Sequence, residues 1–234
     1  MNESTSSNPE PSSIPPEAAA FLQSGEEARQ FSAPLGEVKS GRLQFRHGAA
    51  HITLRVDPSM PELYRARFTG TPPDIRVVDG TIDLRYRHAF SDWFQFNLPW
   101  KHTRGEIVLN GSIPWQLDIH GGASDISGDL SQLQLRSLDV GGGASELRLK
   151  LPRPSSVVPI EIHGGASHVE LHRPTGAAAR LEIGGGAAEL TFDEQYLGAV
   201  GGRTRLATYS IEDRPSRYEI RVRGGASHVT VDTR

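Results

Sequence analysis

The chain has 234 residues, enough for one elongated domain or two small ones. Its 36% hydrophobic content, 25 glycines and 16 prolines suit short strands joined by many turns and disfavour a helical bundle. Cysteine is absent, which excludes disulfides and thiolate metal sites, and the formal net charge of -3 comes with signs that alternate along nearly every strand-like run, which excludes the concentrated basic surface that nucleic acid requires.

Residues 1–30 hold five acids (Glu3, Glu10, Glu17, Glu26, Glu27) against Arg29 alone, so the remainder carries 24 basic and 23 acidic residues. Met1 to about Ser13 is Ser, Pro, Asn and Glu with almost nothing to bury, and ordering it would cost backbone entropy without compensation. A disordered tail is predicted there. Glu17 to Gln23, behind Pro15-Pro16, can form a helical turn or two if it docks. The N-terminus lacks the basic start and apolar stretch of a secretory signal. In the Trp-rich middle the longest charge-free run, Ile107 to Leu117, is well short of the roughly 18 apolar residues of a membrane span. A cytoplasmic chain without a direct membrane span is therefore expected, with a folded domain over 31–234.

From residue 46 the sequence repeats itself. Arg46-His-Gly-Ala-Ala-His-Ile-Thr-Leu, His120-Gly-Gly-Ala-Ser-Asp-Ile, Gly141-Gly-Gly-Ala-Ser-Glu-Leu-Arg-Leu, His163-Gly-Gly-Ala-Ser-His-Val-Glu-Leu, Gly184-Gly-Gly-Ala-Ala-Glu-Leu-Thr-Phe and Arg223-Gly-Gly-Ala-Ser-His-Val-Thr-Val are six versions of one phrase. Their first alanines, from Ala123 through Ala144 and Ala166 to Ala187, are spaced 21, 22 and 21 residues apart, and the last interval, to Ala226, is 39. That interval is expected to contain a skipped copy at Gly201-Gly-Arg-Thr-Arg-Leu. The 74 residues between Ala49 and Ala123 leave room for degenerate units, including Ile75 to Tyr86.

Each phrase reads as strand, glycine corner, strand. Period-two patterning sends Ala166, Val169 and Leu171 inward and His168, Glu170 and His172 outward. The same inward series recurs as Ala144, Leu147, Leu149, as Ala187, Leu190, Phe192 and as Ala226, Val229, Val231. One phrase cannot bury its own apolar side, so neighbouring copies must stack as a solenoid. The glycine pairs Gly121-Gly122, Gly142-Gly143, Gly164-Gly165, Gly185-Gly186 and Gly224-Gly225 are the predicted structural corners, where a missing Cβ lets the chain lie against the coil above and below. Some nine coils stacked at about 4.8 Å would give a rod on the order of 45 Å. The residue before each pair alternates between His and Gly (His120, Gly141, His163, Gly184), so a doubled 43-residue unit with corners on opposite edges stands beside the simpler arrangement of one corner per coil.

These phrases, together with Gly36 to Leu54 and the segment Leu63-Tyr-Arg-Ala-Arg-Phe, resemble the bacterial toastrack superfamily, which includes adhesin-like domains of unknown function and the C-terminal domain of LiaF-type cell-wall stress proteins. The resemblance spans about residues 31–234. It implies a β-helix, often attached to membrane segments in envelope-stress or signalling systems, and supplies no shared catalytic residues.

Nine histidines invite a metal hypothesis, above all His47, His120 and His163 at the corners and His51, His168 and His228 just after them. A closed site needs three or four converging ligands, whereas stacked exposed residues form a solvated row, so no metal is expected. Ser124, Ser145, Ser167 and Ser227 lack the Gly-x-Ser-x-Gly elbow and read as turn formers. Glu146 occupies the third-glycine place of a dinucleotide fingerprint, and no Lys-Ser or Lys-Thr follows a glycine run as in a phosphate loop. The regularly placed aspartates of calcium-binding glycine repeats are absent. The most unusual local feature is the aromatic run Phe90, Trp93, Phe94, Phe96 and Trp100, with Trp115 following. Its rings either fill one coil or form an exposed patch that grips a partner.

The sequence thus predicts an all-β, single-stranded, right-handed β-helix with coils of about 21 residues, preceded by a disordered tail. Its expected role is a non-enzymatic protein-interaction or scaffold module without cofactors, in the envelope-stress setting that the resemblance implies. Its partner would be another protein, bound by its long flat faces or an open coil end, or a second copy held through open ends. A carbohydrate-active β-helix enzyme is the alternative, with Asp125, Glu146, Glu170 and Glu189 as outward carboxylates. A surface adhesin would need an export route.

Overall fold

The computed structural model describes residues 28–46, 49–86 and 104–234. Residues 1–27, and with them most of the expected tail, lie outside the described residues. Strands are numbered in chain order. The N-terminal part holds β1 (Arg29–Pro34), β2 (Gly41–Phe45), β3 (Ala49–Asp57), β4 (Glu62–Thr69), β5 (Asp74–Val78), β6 (Thr81–Arg85) and β7 (Arg104–Asn110). The centre holds β8 (Pro114–Ile119), β9 (Ala123–Asp129), β10 (Gln134–Val140), β11 (Ala144–Lys150), β12 (Val157–Ile162) and β13 (Ala166–Arg173). The remainder is β14 (Ala178–Ile183), β15 (Ala187–Phe192), β16 (Gln195–Tyr196), β17 (Thr204–Ala207), a 3-10 turn at Ile211–Asp213, β18 (Arg217–Val222) and β19 (Ala226–Thr233).

The strands form two sheets, one of ten in the order β1-β4-β7-β3-β9-β11-β13-β19-β15-β16 and one of nine in the order β17-β14-β18-β12-β10-β8-β2-β6-β5. Each coil contributes one strand to each sheet, and within the stack all pairing is parallel. Alternation buries one side of every coil strand: Leu147 and Leu149 of β11, Val169 and Leu171 of β13 and Val229 and Val231 of β19 pack against Leu138, Val140, Ile160 and Ile162 of the other sheet.

The six phrases stand in register. Ala49 pairs with Ala123, Ala123 with Ala144, Ala144 with Ala166, Ala166 with Ala226, and Ala226 with Ala187. The order along the rod is therefore not the order along the chain. After β13 the chain passes over one coil's place, builds β14 and β15, and returns to fill the gap with β18 and β19. The other end repeats the device, since β7 lies between β3 and β4, and β6 between β2 and β5.

Four sequence expectations are corrected here. The stack has seven coils rather than nine, because the long intervals are used for end caps. Gly201 and Gly202 do not form a sixth glycine-pair corner: they follow Val200, which makes an antiparallel bridge to Ala187 beside the cap strand β17. Likewise Ile75 to Tyr86 does not form a coil by itself, since β5 and β6 make an antiparallel hairpin in which only β6 joins the stack. The coil ends are not open. Antiparallel strands β4 with β1, β5, β16 and β17 close them, and these outermost strands are short, which limits edge-to-edge pairing.

The corners all lie on one edge, settling the choice in favour of one glycine pair per coil. His120, Gly141, His163, Arg223 and Gly184 each donate a backbone N–H to the neighbouring coil, at 2.8–3.0 Å, so the alternating His and Gly occupy equivalent places. The opposite edge carries a second repeated signature. Asp57, Asn110 and Asp129 each accept the backbone N–H of the residue two positions on (Ser59, Ser112, Ser131) at 2.9 Å. A side-chain carbonyl that bonds its own chain two residues ahead closes the turn without help from another strand.

Candidate functional site

The predicted structural corners are where the sequence placed them. Gly164 N–H donates to Gly142 O at 2.9 Å, Gly224 N–H to Gly164 O at 3.1 Å and Gly185 N–H to Gly224 O at 3.2 Å, which makes a continuous backbone ladder along the edge. A Cβ on Gly164 would sit 2.8 Å from Gly143 N, and one on Gly185 would sit 2.6 Å from Gly225 N. At Gly164 and Gly185 close approach rather than an unusual φ is what demands glycine, whereas Gly121, Gly122 and Gly186 also take positive φ. Two of the serines read as turn formers instead bond across coils: Ser227 Oγ–H donates to Ser167 O at 2.8 Å and Ser145 Oγ–H to Ala123 O at 3.2 Å. A shallow trough of about 770 Å³ runs over Gly143, Gly165, Gly225 and the adjoining Ala and Ser residues.

Of the aromatic set, Phe90, Trp93, Phe94, Phe96 and Trp100 lie outside the described residues. Trp115 is fully buried in β8, and its indole N–H donates to Asn110 O at 2.7 Å. It fills the core of its coil and cannot belong to an exposed patch, because its neighbour Gly41 leaves room for the ring: a Cβ there would lie 2.6 Å from it.

The surface with most chemistry is the outer face of the ten-strand sheet. Stacking in register turns each outward position into a row across the coils. The row nearest the corner runs Arg104, His51, Asp125, Glu146, His168, His228, Glu189. His51 Nδ1 and Asp125 Oδ2 are 2.7 Å apart, and His228 Nδ1 and Glu189 Oε2 are 2.6 Å apart. The rings of His168 and His228 stack with centroids 4.9 Å apart and planes 17° from parallel. Farther along the strands, Arg148 bridges Glu146 at 2.5 Å and Glu170 at 3.3 Å, Arg55 Nε lies 2.8 Å from Glu106 in an ion pair, and His172 Nδ1 lies 2.5 Å from Asp232. Each exposed pair contributes at most about 1 kcal/mol, so their main effect is to fix side-chain positions.

Carboxylates are held low where several donors converge. The hydroxyl and backbone N–H of Ser59 keep Asp57 below the usual range. Burial alone would raise Asp83, but the guanidinium groups of Arg85 and Arg46 outweigh it and hold that carboxyl low. Asp129 follows the same balance, with burial opposed by Ser131 and Lys150.

Among the described residues no group of three or more His, Asp or Glu side chains is arranged to hold a metal ion. His47 is outside them; His120 faces Gln44 and His163 faces Asp139, each one partner deep. Ligand-sized relief on this face is concentrated at its β4 end. There a groove of about 450 Å³ is bounded by β4, β7, β3 and β9, and a second hollow of about 730 Å³ shares Arg55, Arg67 and Glu106 with it. The groove has a backbone peculiarity. His51 (φ 52) and Asp125 (φ 56), neighbours in the row, are both in the left-handed region, at a cost on the order of 1–3 kcal/mol each. Sequence reading picked out His51 and Asp125 singly but missed Arg55, Arg67, Arg104 and Glu106. The fixed offset of two from each phrase's first alanine generates the row of His51, Asp125, Glu146, His168, Glu189 and His228 as soon as the copies are aligned, but it reaches none of those four.

A β-solenoid built on stacked glycine corners defines a class, and comparison with known proteins names it. The family model described as the N-terminal domain of toast_rack, DUF2154, matches residues 23–172, and the chain belongs to that family. Among solved structures, the chain is similar to a Clostridium sporogenes protein described as a putative cell adhesion protein. The TM-score is 0.64 at 18% identity, over 89% of this chain and all of that one, a likeness of fold. No curated protein matches. Among the described residues no helix is long and apolar enough to cross a membrane.

Proposed function

We propose that this chain is a non-enzymatic, adhesin-like interaction module of the bacterial cell envelope or its stress signalling, and that it engages a partner protein along the outer face of the ten-strand sheet. The observation that carries the reading is the extent of that face. Ten strands at about 4.8 Å and strands of roughly seven residues give an area of about 45 by 20 Å. That is about 900 Å², close to the ~800 Å² each side contributes to a specific interface. Its charged side chains are already held by ion pairs between coils, so docking immobilises little that was free. The same pairing supports a non-enzymatic role, since the carboxylates and imidazoles of the rows engage one another.

A photo-reactive residue in place of Thr230, on this face, should cross-link a defined partner in cells, and one in place of Gln116, on the other sheet, should not. The chain should release no new reducing ends from a set of polysaccharides. Equal capture from both positions, or product release, would overturn the reading.

A further inference from the structure

The outer face of the ten-strand sheet is electrically divided along the rod. Strands β4, β7 and β3 carry four arginines (Arg55, Arg65, Arg67, Arg104) against Glu62, Glu106 and Asp57. From β9 to β15 the balance reverses. The outward residues there are two bases, Arg148 and Lys150, and six acids, Asp125, Asp129, Glu146, Glu170, Asp232 and Glu189, a charge of -4 with neutral imidazoles. Arg234, which follows β19 and pairs with Asp232, brings it to -3, and the buried Arg173 is matched by Asp193. The same stretch holds His168, His172 and His228. Of the other described histidines, His120 and His163 sit at the corners, and His51 on β3 faces Asp125 across the boundary.

Each of the three strand histidines has a carboxylate to receive its charge. His168 stands between Glu146 on β11 and the stacked ring of His228 on β19, with Glu170 two residues along its own strand. His228 has Glu189 of β15 on its far side, so the stacked rings are closed by a carboxylate at each end. His172 lies between Lys150 on β11 and Asp232 on β19, with Glu170 at 3.6 Å, and Lys150 itself reaches Asp129 at 3.2 Å. Imidazoles change charge between about pH 5 and 8, where carboxylates, arginines and lysines do not. Acidification therefore takes this half of the face from -3 to 0 and leaves the arginine half unchanged. Tyr196 of β16 pairs with Thr191, so its exposed ring stands on the same face at the end of the acidic stretch, where it offers a cation–π surface. We infer that the β9 to β15 stretch docks a basic segment of the partner protein near neutral pH and releases it on acidification, with His168, His172 and His228 as the gate and Tyr196 as an aromatic anchor. The inference rests on the reading of this face as the docking surface, and adds the charge of the partner and the regulation of its binding.

The test is fluorescence anisotropy of the full chain with two labelled peptides, one alternating lysine and threonine and one alternating glutamate and threonine, at pH 7.5 and 5.5. The lysine peptide, fully charged at both, should bind at least tenfold more tightly at pH 7.5 than at 5.5, and at pH 7.5 at least tenfold more tightly than the glutamate peptide. Thr230→Arg, in the middle of the stretch, should abolish lysine-peptide binding, while Gln116→Arg on the other sheet should not. The triple variant His168→Gln/His172→Gln/His228→Gln should keep its pH 7.5 affinity at pH 5.5, whereas His120→Gln/His163→Gln should stay gated like the wild type. Equal binding at the two pH values, glutamate-peptide binding as tight as that of the lysine peptide, or a gate that survives the triple substitution would overturn the proposal. Partner cross-linking from Thr230 that is equally strong at both pH values would likewise overturn it and leave the docking reading standing, whereas no cross-linking from Thr230 would sink both.

Discussion

Ala166 donates its backbone N–H to the carbonyl of Gly225 at 3.0 Å, although Ala187 and its whole coil come earlier in the chain than Gly225. The last segment of the sequence is thus an interior coil of both sheets, with β12 and β14 on either side of β18, and β13 and β15 on either side of β19.

Removing residues 217–234 should therefore do more than trim an end. Tyr218, Ile220, Val222, Val229 and Val231 are all buried, and at about 1.5–3 kcal/mol each they contribute about as much as the 5–15 kcal/mol total stability of an ordinary domain. A chain ending at Ser216 is expected to lose β12 to β15 from its protected core. Hydrogen exchange should show those amides exchanging freely, and urea unfolding should show a reduced m-value. An unchanged urea midpoint would mean that the inserted coil is dispensable.

The corner ladder gives a sharper prediction. Gly185→Ala places a methyl group 2.6 Å from Gly225 N and 2.9 Å from Gly225 Cα, backbone that cannot swing aside. The expected cost is about 2–3 kcal/mol, as in other overpacked sites. Gly201→Ala is the control, because nothing lies within 4 Å of the added atom. It should stay within about 0.5 kcal/mol of wild type. Differential scanning calorimetry of the two variants measures the contrast.

Stacking was legible in the sequence because it depends on a repeated local rule: small residues at one corner and a period of two on either side. Ala144, Ala166 and Ala187 fall where that rule puts them. The spatial order of the coils was not legible. Nothing in Ala187 to Ala226 distinguishes two successive coils from an excursion that caps the rod and returns, since the pairing partners of β19 are set by which edges remain unfilled. The Asx turns at Asp57, Asn110 and Asp129 were in plain view as Asp-x-Ser and Asn-x-Ser, but lie on the edge that lacks glycine pairs. The groove was hidden for a different reason: Arg67 and Arg104 come from a cap and an inserted coil outside the six phrases.

Asn110 ties the Trp115 coil to the β4 cap. Fully buried, it donates from Nδ2 to Met60 O at 2.7 Å and Glu62 O at 2.9 Å, and accepts from Ser112 N–H at 2.9 Å. Asn110→Leu keeps the branched shape, with somewhat more bulk, but strands these groups, at about 1–3 kcal/mol for each buried one left unsatisfied. Urea denaturation should show a loss of at least about 3 kcal/mol, against about 1 kcal/mol for Ser112→Ala. Similar losses for the two variants would show that Asn110 is not the centre of this network.

Stability should fall at both ends of the pH scale, for opposite reasons. Asp57, Asp83 and Asp129 have carboxyls held below their unfolded values, so their contribution is complete above the ordinary carboxylate range and is lost as pH falls through and below it. Tyr218 behaves inversely. Burial raises its phenol, whose O–H donates to Pro152 O at 2.6 Å, and burial likewise pushes Tyr86 up to about 12. A group whose folded value is raised stabilises the fold below its unfolded value and ceases to do so above it, so the loss should begin near pH 10, where the unfolded tyrosines ionise, about as expected for a free phenol. The melting temperature should be flat between these limits and decline on either side. Tyr218→Phe separates the two arms: it removes the bond to Pro152, lowers the plateau and makes the alkaline decline shallower, while the acid arm keeps its position. If the variant's alkaline decline matches wild type, Tyr218 is not the group that sets it.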